Sequence, residues 1–296
     1  MTLPDLVDYA VPTTLPESKA PWRFDPSRAA VLVHDLQHYF LRPFAPGTPV
    51  MSAALANTAA LLSAARAAGV PVFYTAQTGE PSEIVRGLQG ELWGPGMQPI
   101  AEHTTIVPEV APAEGDTVLV KHRYSAFAHS DLADRLAAAG RDQLVITGVY
   151  AHIGVTATAF DAFQREVRPF VLADAVADFS AEAHERALAQ VASCMGVVAT
   201  TAEVLAAFEA ESEPEVGEAE GFEGVLRRSL DELLPADVVE AAYADPGADL
   251  FELGLDSIRA FDLLDALAEI GVDVDFGEFA RSASLTFLRD ASTVAV

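Results

Sequence analysis

The sequence predicts a doubly wound α/β domain, a parallel sheet with helices on both faces, followed by a small all-α helical bundle. Six short runs rich in Val, Ile and Leu recur through the first two-thirds of the 296 residues. Alanine-rich helical stretches separate most of them. Beyond residue 208 the pattern changes to an acidic, apolar-poor stretch and then to helical periodicity alone.

The runs cover residues 29–34, 70–75, 117–121, 143–147, 169–173 and 197–200. They are continuous rather than alternating, which predicts strands covered on both faces. Strand–helix alternation predicts parallel pairing. Helices are predicted over residues 52–68, 131–139, 156–166 and 181–192, two of them ending near Gly69 and Gly140. Residues 1–28, with Pro4, Pro12, Pro16, Pro21 and Pro26, are expected to run as an arm over the surface of a first domain ending at residue 208. Residues 209–220 read EAESEPEVGEAE, an acid at nearly every second position, and predict a solvated linker.

From 221 to 296 the pattern is helical. Val225, Leu226, Leu230, Leu233 and Leu234 share one face. A loop with Pro246, Gly247 and Gly254 precedes a second helix starting at Ser257, its stripe read as Ile258, Phe261, Leu264, Leu267 and Ile270. About 75 such residues make a small bundle.

The formal net charge of −26 argues against nucleic acid and against an anionic membrane surface, since neither finds a basic face. Residues 211–296 hold 21 acids against 5 arginines, so this module should meet a basic partner. No stretch is expected to supply the roughly 18 apolar residues of a spanning helix. The start lacks the positive charge of a secretory signal. A single cysteine, Cys194, fits a reducing cytoplasm and reads as a buried structural thiol.

Ligands of an open parallel sheet bind beyond the carboxyl ends of its strands. There the chain places Asp35, Gln77, Lys121 and Tyr150: an acid, an amide, a cation and a phenol. Phe40 and Trp93 are nearby in sequence, as pocket wall or core. His34, His122 and His152 show no metal-ligand spacing, and no metal is expected.

VLVHDLQHYFLRPF at 31–44, WGPGM at 93–97, VKHRYSAF at 120–127, TGVYAHIGVTATAFDAF at 147–163 and VLADAVADFS at 171–180 appear in order. Together they resemble the isochorismatases of the isochorismatase-like hydrolase superfamily, over about residues 15–210. In the wider superfamily, which includes nicotinamidases, the working triad is Asp, Lys and a nucleophilic Cys. Asp35 and Lys121 match the first two. GVYAHIGV at 148–155 lines up with the cysteine-bearing segment and places Gly154 at the nucleophile position. Thioester chemistry needs a thiolate, and glycine has none, as is characteristic of the isochorismatase branch. The resemblance implies protonation of an enolpyruvyl ether by Asp35. It implies Lys121, Gln77 and Arg86 as holders of the substrate carboxylates, with Tyr150 and Gly154 lining the pocket.

LFELGLDSIR at 250–259 resembles the attachment site of acyl and peptidyl carrier proteins. That resemblance implies covalent 4′-phosphopantetheine on Ser257; alternatively Asp256 or Ser257 only caps the helix. A helix start suits a phosphodiester anion. Isochorismatases joined to an aryl carrier domain resemble the bifunctional proteins of catecholate siderophore assembly. The implied partners are isochorismate, a phosphopantetheinyl transferase, an aryl-adenylating enzyme and a nonribosomal peptide synthetase condensation domain. A homo-oligomer is expected. Two rivals stand: a phenazine-type hydrolase acting on aminodeoxyisochorismate, and a catalytically silent scaffold for the carrier.

Overall fold

The computed structural model describes residues 6–212, 222–269 and 271–294. Residues 213–220 of the predicted linker and Ile270 lie outside the described residues. The chain divides into two units, Met1–Glu213 and Pro214–Val296.

In the first unit all six apolar runs are strands: β1 (Ala29–His34), β2 (Val72–Ala76), β3 (Thr117–Val120), β4 (Gln143–Val149), β5 (Arg168–Ala177) and β6 (Val197–Ala199). Every pairing is parallel, in the order β3-β2-β1-β4-β5-β6. The order reverses between β1 and β4, so their carboxyl ends open the crevice where such sheets bind ligands.

The helices are α1 (His38–Leu41), α2 (Pro49–Ala67), α3 (Glu83–Arg86), α4 (Leu88–Trp93), α5 (Ala101–Thr104), α6 (Leu132–Ala138), α7 (Thr156–Gln164), α8 (Ala181–Cys194) and α9 (Thr201–Ser212). On one face of the sheet α2 and α9 enclose a core with Val31, Val33, Val145 and Phe170. On the other, α6, α7 and α8 bury Leu32, Leu144, Ile146 and Val171. Alternate residues of each run thus serve opposite cores, which is why the runs are continuous.

Several expectations need correction. β3 is an edge strand of the sheet, and its Val118 and Val120 are about half exposed. α9 continues to Ser212, four residues into the predicted linker, since Thr201–Ser212 stays hydrogen-bonded as helix. Cys194 is exposed: it ends α8 on the outer side, with Sγ 3.5 Å from the Gln190 carbonyl. α2, at 19 residues, does have the length and hydropathy of a spanning helix. Its Val50, Met51, Ala54, Leu61, Leu62 and Ala65 are buried in the protein core instead. The N-terminal arm is built in as well as laid on. Val7 is buried, Trp22 and Phe24 pack on the core, and Gln143 bonds the backbone at Arg23 and Asp25.

The second unit comprises α10 (Phe222–Leu233), α11 (Ala236–Ala244), α12 (Ser257–Glu269), α13 (Phe276–Phe279) and α14 (Leu285–Val294). Val225, Leu226, Leu230 and Leu234 are buried as predicted. The stripe of α12 is different: Ala260, Leu263, Leu264 and Leu267 face the core, whereas Ile258 and Phe261 point outward, 76% and 50% exposed. The 3.6-residue period admits either stripe, and only the neighbouring helices choose.

Candidate active site and carrier attachment site

Asp35 follows β1 in a left-handed conformation, φ 53°, a backbone state that non-glycine residues hold only when the surroundings impose it. Here the surroundings are three adjacent strand ends. Thr75 of β2 donates its hydroxyl to Asp35 Oδ1 at 2.6 Å, and Lys121, directly after β3, donates Nζ to Oδ2 at 2.6 Å. Both members of the ion pair are more than nine-tenths buried. Gln77 follows β2. Its main chain is clamped by the buried Gln37 amide, whose Oε1 accepts from the Gln77 N–H and whose Nε2 donates to the Gln77 carbonyl, each at 2.8 Å.

These groups open into a cavity of about 480 Å³. Asp35, Lys121, Gln77, Arg86, Tyr150, Gly154, Phe40 and Trp93 all line it. Trp93 is pocket wall, and Phe40 is both: it lines the cavity and packs against the core. Trp93 is fixed by its indole N–H, donated to the Tyr124 hydroxyl at 2.7 Å. Tyr150 packs against Phe179, ring centroids 4.1 Å apart, and donates its hydroxyl to the Phe40 carbonyl at 2.6 Å. Burial, with the Asp35 charge adding to it, pushes that phenol well above its usual pKa. Arg86 is oriented by the Gly94 carbonyl, 3.0 Å from Nε, and partial burial lowers its pKa.

Sequence reasoning missed Arg42, Tyr39, Tyr124 and Phe179, which share the cavity, and it read His34 as unremarkable. Arg42 lies inside the quoted motif, over the Tyr39 ring at 5.6 Å. No residue-type signal separates it from a solvated arginine. His34 is fully buried; desolvation, with the Lys121 charge adding to it, pushes its pKa down to about 4. Its ring is therefore neutral near pH 7. The other two histidines lie apart from it, His152 on the buried Asp178 carboxylate and His122 against His129.

Three cations (Arg42, Arg86, Lys121) and one acid (Asp35) line the cavity, in a chain whose net charge is −26. Lys121 is paired with Asp35. Among the described residues no acid pairs with Arg42 or Arg86. The arrangement can thus receive a small dianion and present it with one carboxyl group, with no thiol in the cavity.

In the second unit Gly254, at φ 112°, turns the chain into α12. Asp256 caps that helix, its Oδ1 accepting from Ile258 and Arg259 N–H at 3.0 and 2.9 Å. Ser257 is left exposed on the first turn, its hydroxyl without a hydrogen bond among the described residues. Capping thus falls to Asp256 and leaves Ser257 open to modification.

The isochorismatase domain profile matches residues 29–203. The chain belongs to the isochorismatase family. A second profile, the phosphopantetheine attachment site, matches residues 225–286, a span that includes Ser257. Enterobactin synthase component B of Escherichia coli K12 is 40% identical over 287 residues, 96% of either chain. The phenazine biosynthesis protein PhzD of Pseudomonas fluorescens is 47% identical over 205 residues, 69% of this chain and 98% of its own. Among solved structures, a cysteine hydrolase from Pseudomonas syringae pv. phaseolicola superposes with TM-score 0.60 at 27% identity, covering 66% of this chain and 98% of that one. This isochorismatase therefore combines a hydrolase fold with a carrier domain bearing phosphopantetheine on a serine.

Proposed function

We propose that the first unit hydrolyses the enolpyruvyl ether of isochorismate, giving pyruvate and 2,3-dihydro-2,3-dihydroxybenzoate. The observation that supports it best is the cavity's charge pattern: two arginines without acid partners among the described residues and one buried carboxyl, matching a substrate with two carboxylates and one acid-labile bond. Asp35, which takes up a proton as the substrate's carboxylates bind, gives it to the terminal CH₂ of the vinyl ether, and the neighbouring carbon and its ether oxygen share the resulting positive charge. Water adds to the neighbouring carbon that bears the ether oxygen, returning a proton to Asp35, and the hemiketal so formed collapses with C–O cleavage to pyruvate and the diol. Lys121 and Thr75 hold Asp35 against the substrate. Arg86 and Arg42 take one carboxylate each, with the Gln77 amide between. Phe40, Trp93, Tyr150 and Phe179 exclude bulk water, which strengthens each of these contacts.

Ser257 is the proposed attachment point of 4′-phosphopantetheine. A phosphopantetheinyl transferase would install the arm, an aryl-adenylating enzyme would load it, and a condensation domain would receive the aryl group in siderophore assembly, with the chain acting as a cytoplasmic homo-oligomer. The whole-length likeness to enterobactin synthase component B supports this reading. One observation favours the phenazine alternative, the 47% identity to PhzD over the hydrolase unit. Coupled detection of pyruvate with isochorismate and with aminodeoxyisochorismate tests both. A higher kcat/KM for isochorismate is expected. Preference for the amino substrate would replace it, and no release from either would leave the silent scaffold.

A further inference from the structure

Gly154 has no conformational need to be glycine: its backbone lies outside the left-handed region, where any residue is allowed. The need is steric. A Cβ built at position 154 would stand 2.8 Å from His34 Nε2 and 3.1 Å from Nδ1, with Cε1 closer still. The ring cannot step aside. It is fully buried, and its Nδ1 lies 2.8 Å from the Val149 carbonyl. The neutral imidazole has one N–H, and this contact, shorter than the 3.3 Å from Nε2 to the Tyr124 carbonyl, assigns it to Nδ1, donated to Val149. The His34 backbone is held in β1 opposite Gly148, where a Cβ would itself collide with that backbone. His34 is therefore gripped from both ends, against the segment that carries the nucleophile in the cysteine-dependent members of the fold.

We propose that the His34 imidazole fills the nucleophile slot of this fold and, by excluding any side chain at position 154, confines the site to chemistry without a covalent intermediate. His34 is then a determinant of reaction type, and glycine at 154 is its consequence. The proposal rests on Gly154 occupying the nucleophile position and is independent of which enolpyruvyl ether is the substrate.

Two measurements on the full chain, neither using substrate, test it in a Cys194→Ser background that removes the exposed thiol. In the first, Gly154→Ala is made with His34 intact and with His34→Val, a residue shorter than imidazole that suits a strand. With His34 intact, overpacking should lower the hydrolase unit's Tm by roughly 5–10 °C. With His34→Val the same change should cost less than half as much, as a double-mutant cycle reads. Equal losses in both backgrounds would overturn the proposal. In the second, Gly154→Cys combined with His34→Val should be alkylated by iodoacetamide at position 154 in the native protein. Labelling of the native G154C single variant at the same rate would show that the slot is open with His34 in place, and would also overturn it. If His34→Val does not fold, His34→Ala takes its place. If neither folds, Gly154→Ala alone decides: a Tm unchanged from the Cys194→Ser parent refutes the steric block, and a loss of the size given supports it. Pyruvate release by the unmodified chain tests the proposed function separately.

Discussion

Lys121 Nζ stands 2.6 Å from Asp35 Oδ2, although 86 residues separate them in the chain and a whole strand, β2, runs between their strands. The intervening strand adds the third member, since Thr75 donates to the other carboxylate oxygen at 2.6 Å. Three neighbouring strand ends thus contribute an acid, a hydroxyl and a cation to one buried point. Each member is positioned by β pairing rather than by flexible loops, so substitutions should alter chemistry more than architecture.

Asp35→Asn keeps the shape of the side chain and removes the transferable proton. The rate of pyruvate release from isochorismate should fall by roughly 10²–10⁴-fold, while equilibrium binding of the substrate persists. Stopped-assay pyruvate detection and calorimetric titration of the variant separate the two effects. Near-normal turnover would remove Asp35 from its proposed role.

Arg42→Gln should act on binding. A hydrogen bond to a charged group is worth about 1.5–3 kcal/mol, so kcat/KM should drop by roughly 10–150-fold, chiefly through KM. Arg86→Gln should behave alike if each arginine holds one carboxylate. An Arg42→Gln enzyme with wild-type KM would show that this guanidinium serves only the Tyr39 ring.

The exposed Cys194 should react readily with iodoacetamide, and the fully alkylated enzyme should keep its hydrolytic activity. Cys194→Ser should do the same, since the one hydrogen bond Sγ makes among the described residues is to the Gln190 carbonyl, at 3.5 Å. Activity lost in step with alkylation, measured by intact mass on the same samples, would contradict this.

His34 and His184 are both buried, and desolvation pushes each down to about 4 from 6.5. Between those values the unfolded chain binds protons that the folded chain does not, so stability should rise with pH through this window. Acidification from pH 6.5 towards 4 should therefore lower the unfolding free energy of the hydrolase unit, by up to about 1.4 kcal/mol per pH unit for each histidine, and with it the urea midpoint. His184→Gln should flatten the slope by about half. An unchanged slope in that variant would mean that carboxylates dominate the acid limb.

Ser257→Ala removes one exposed hydroxyl and leaves the Asp256 cap and the buried stripe Ala260, Leu263, Leu264 and Leu267 in place. Incubation with a phosphopantetheinyl transferase and coenzyme A should add one arm's mass to wild type and none to the variant. Isochorismate hydrolysis should be the same in both. Modification should slow as salt rises, because the module's acids screen from a basic transferase face. An arm-sized gain persisting in Ser257→Ala would place the attachment elsewhere.

Much of this was legible in one dimension. Continuous apolar runs located the strands, because a strand buried on both faces needs a hydrophobe at every position; the edge strand β3 kept such a run although Val118 and Val120 are half exposed. Asp35, Gln77, Lys121 and Tyr150 could be singled out because the first polar residue beyond such a run stands at the sheet's carboxyl edge. Arg42 and Phe179 were not legible, since an arginine just after a short helix or an aromatic after a strand looks the same whether it faces a pocket or solvent. Cys194 was misjudged for a related reason: helical periodicity gives the spacing of a face but not its direction. The same ambiguity misled the reading of α12, where Ile258 and Phe261 turned out to point away from the core.

By itself, then, the sequence determined the class of fold, because that follows from local pattern, and it singled out Asp35 and Lys121 by their places at strand ends; Gly154 and Ser257 were singled out by the resemblance of their motifs to known families. Only the tertiary structure decided what stands against Gly154. That side chain, His34, lies 120 residues earlier, and the two meet because β1 and β4 pair at the point where the sheet reverses its order. Steric exclusion between distant residues has no signature along a chain. It exists only once hydrogen-bonded strands have fixed both backbones at a separation that leaves room for one side chain.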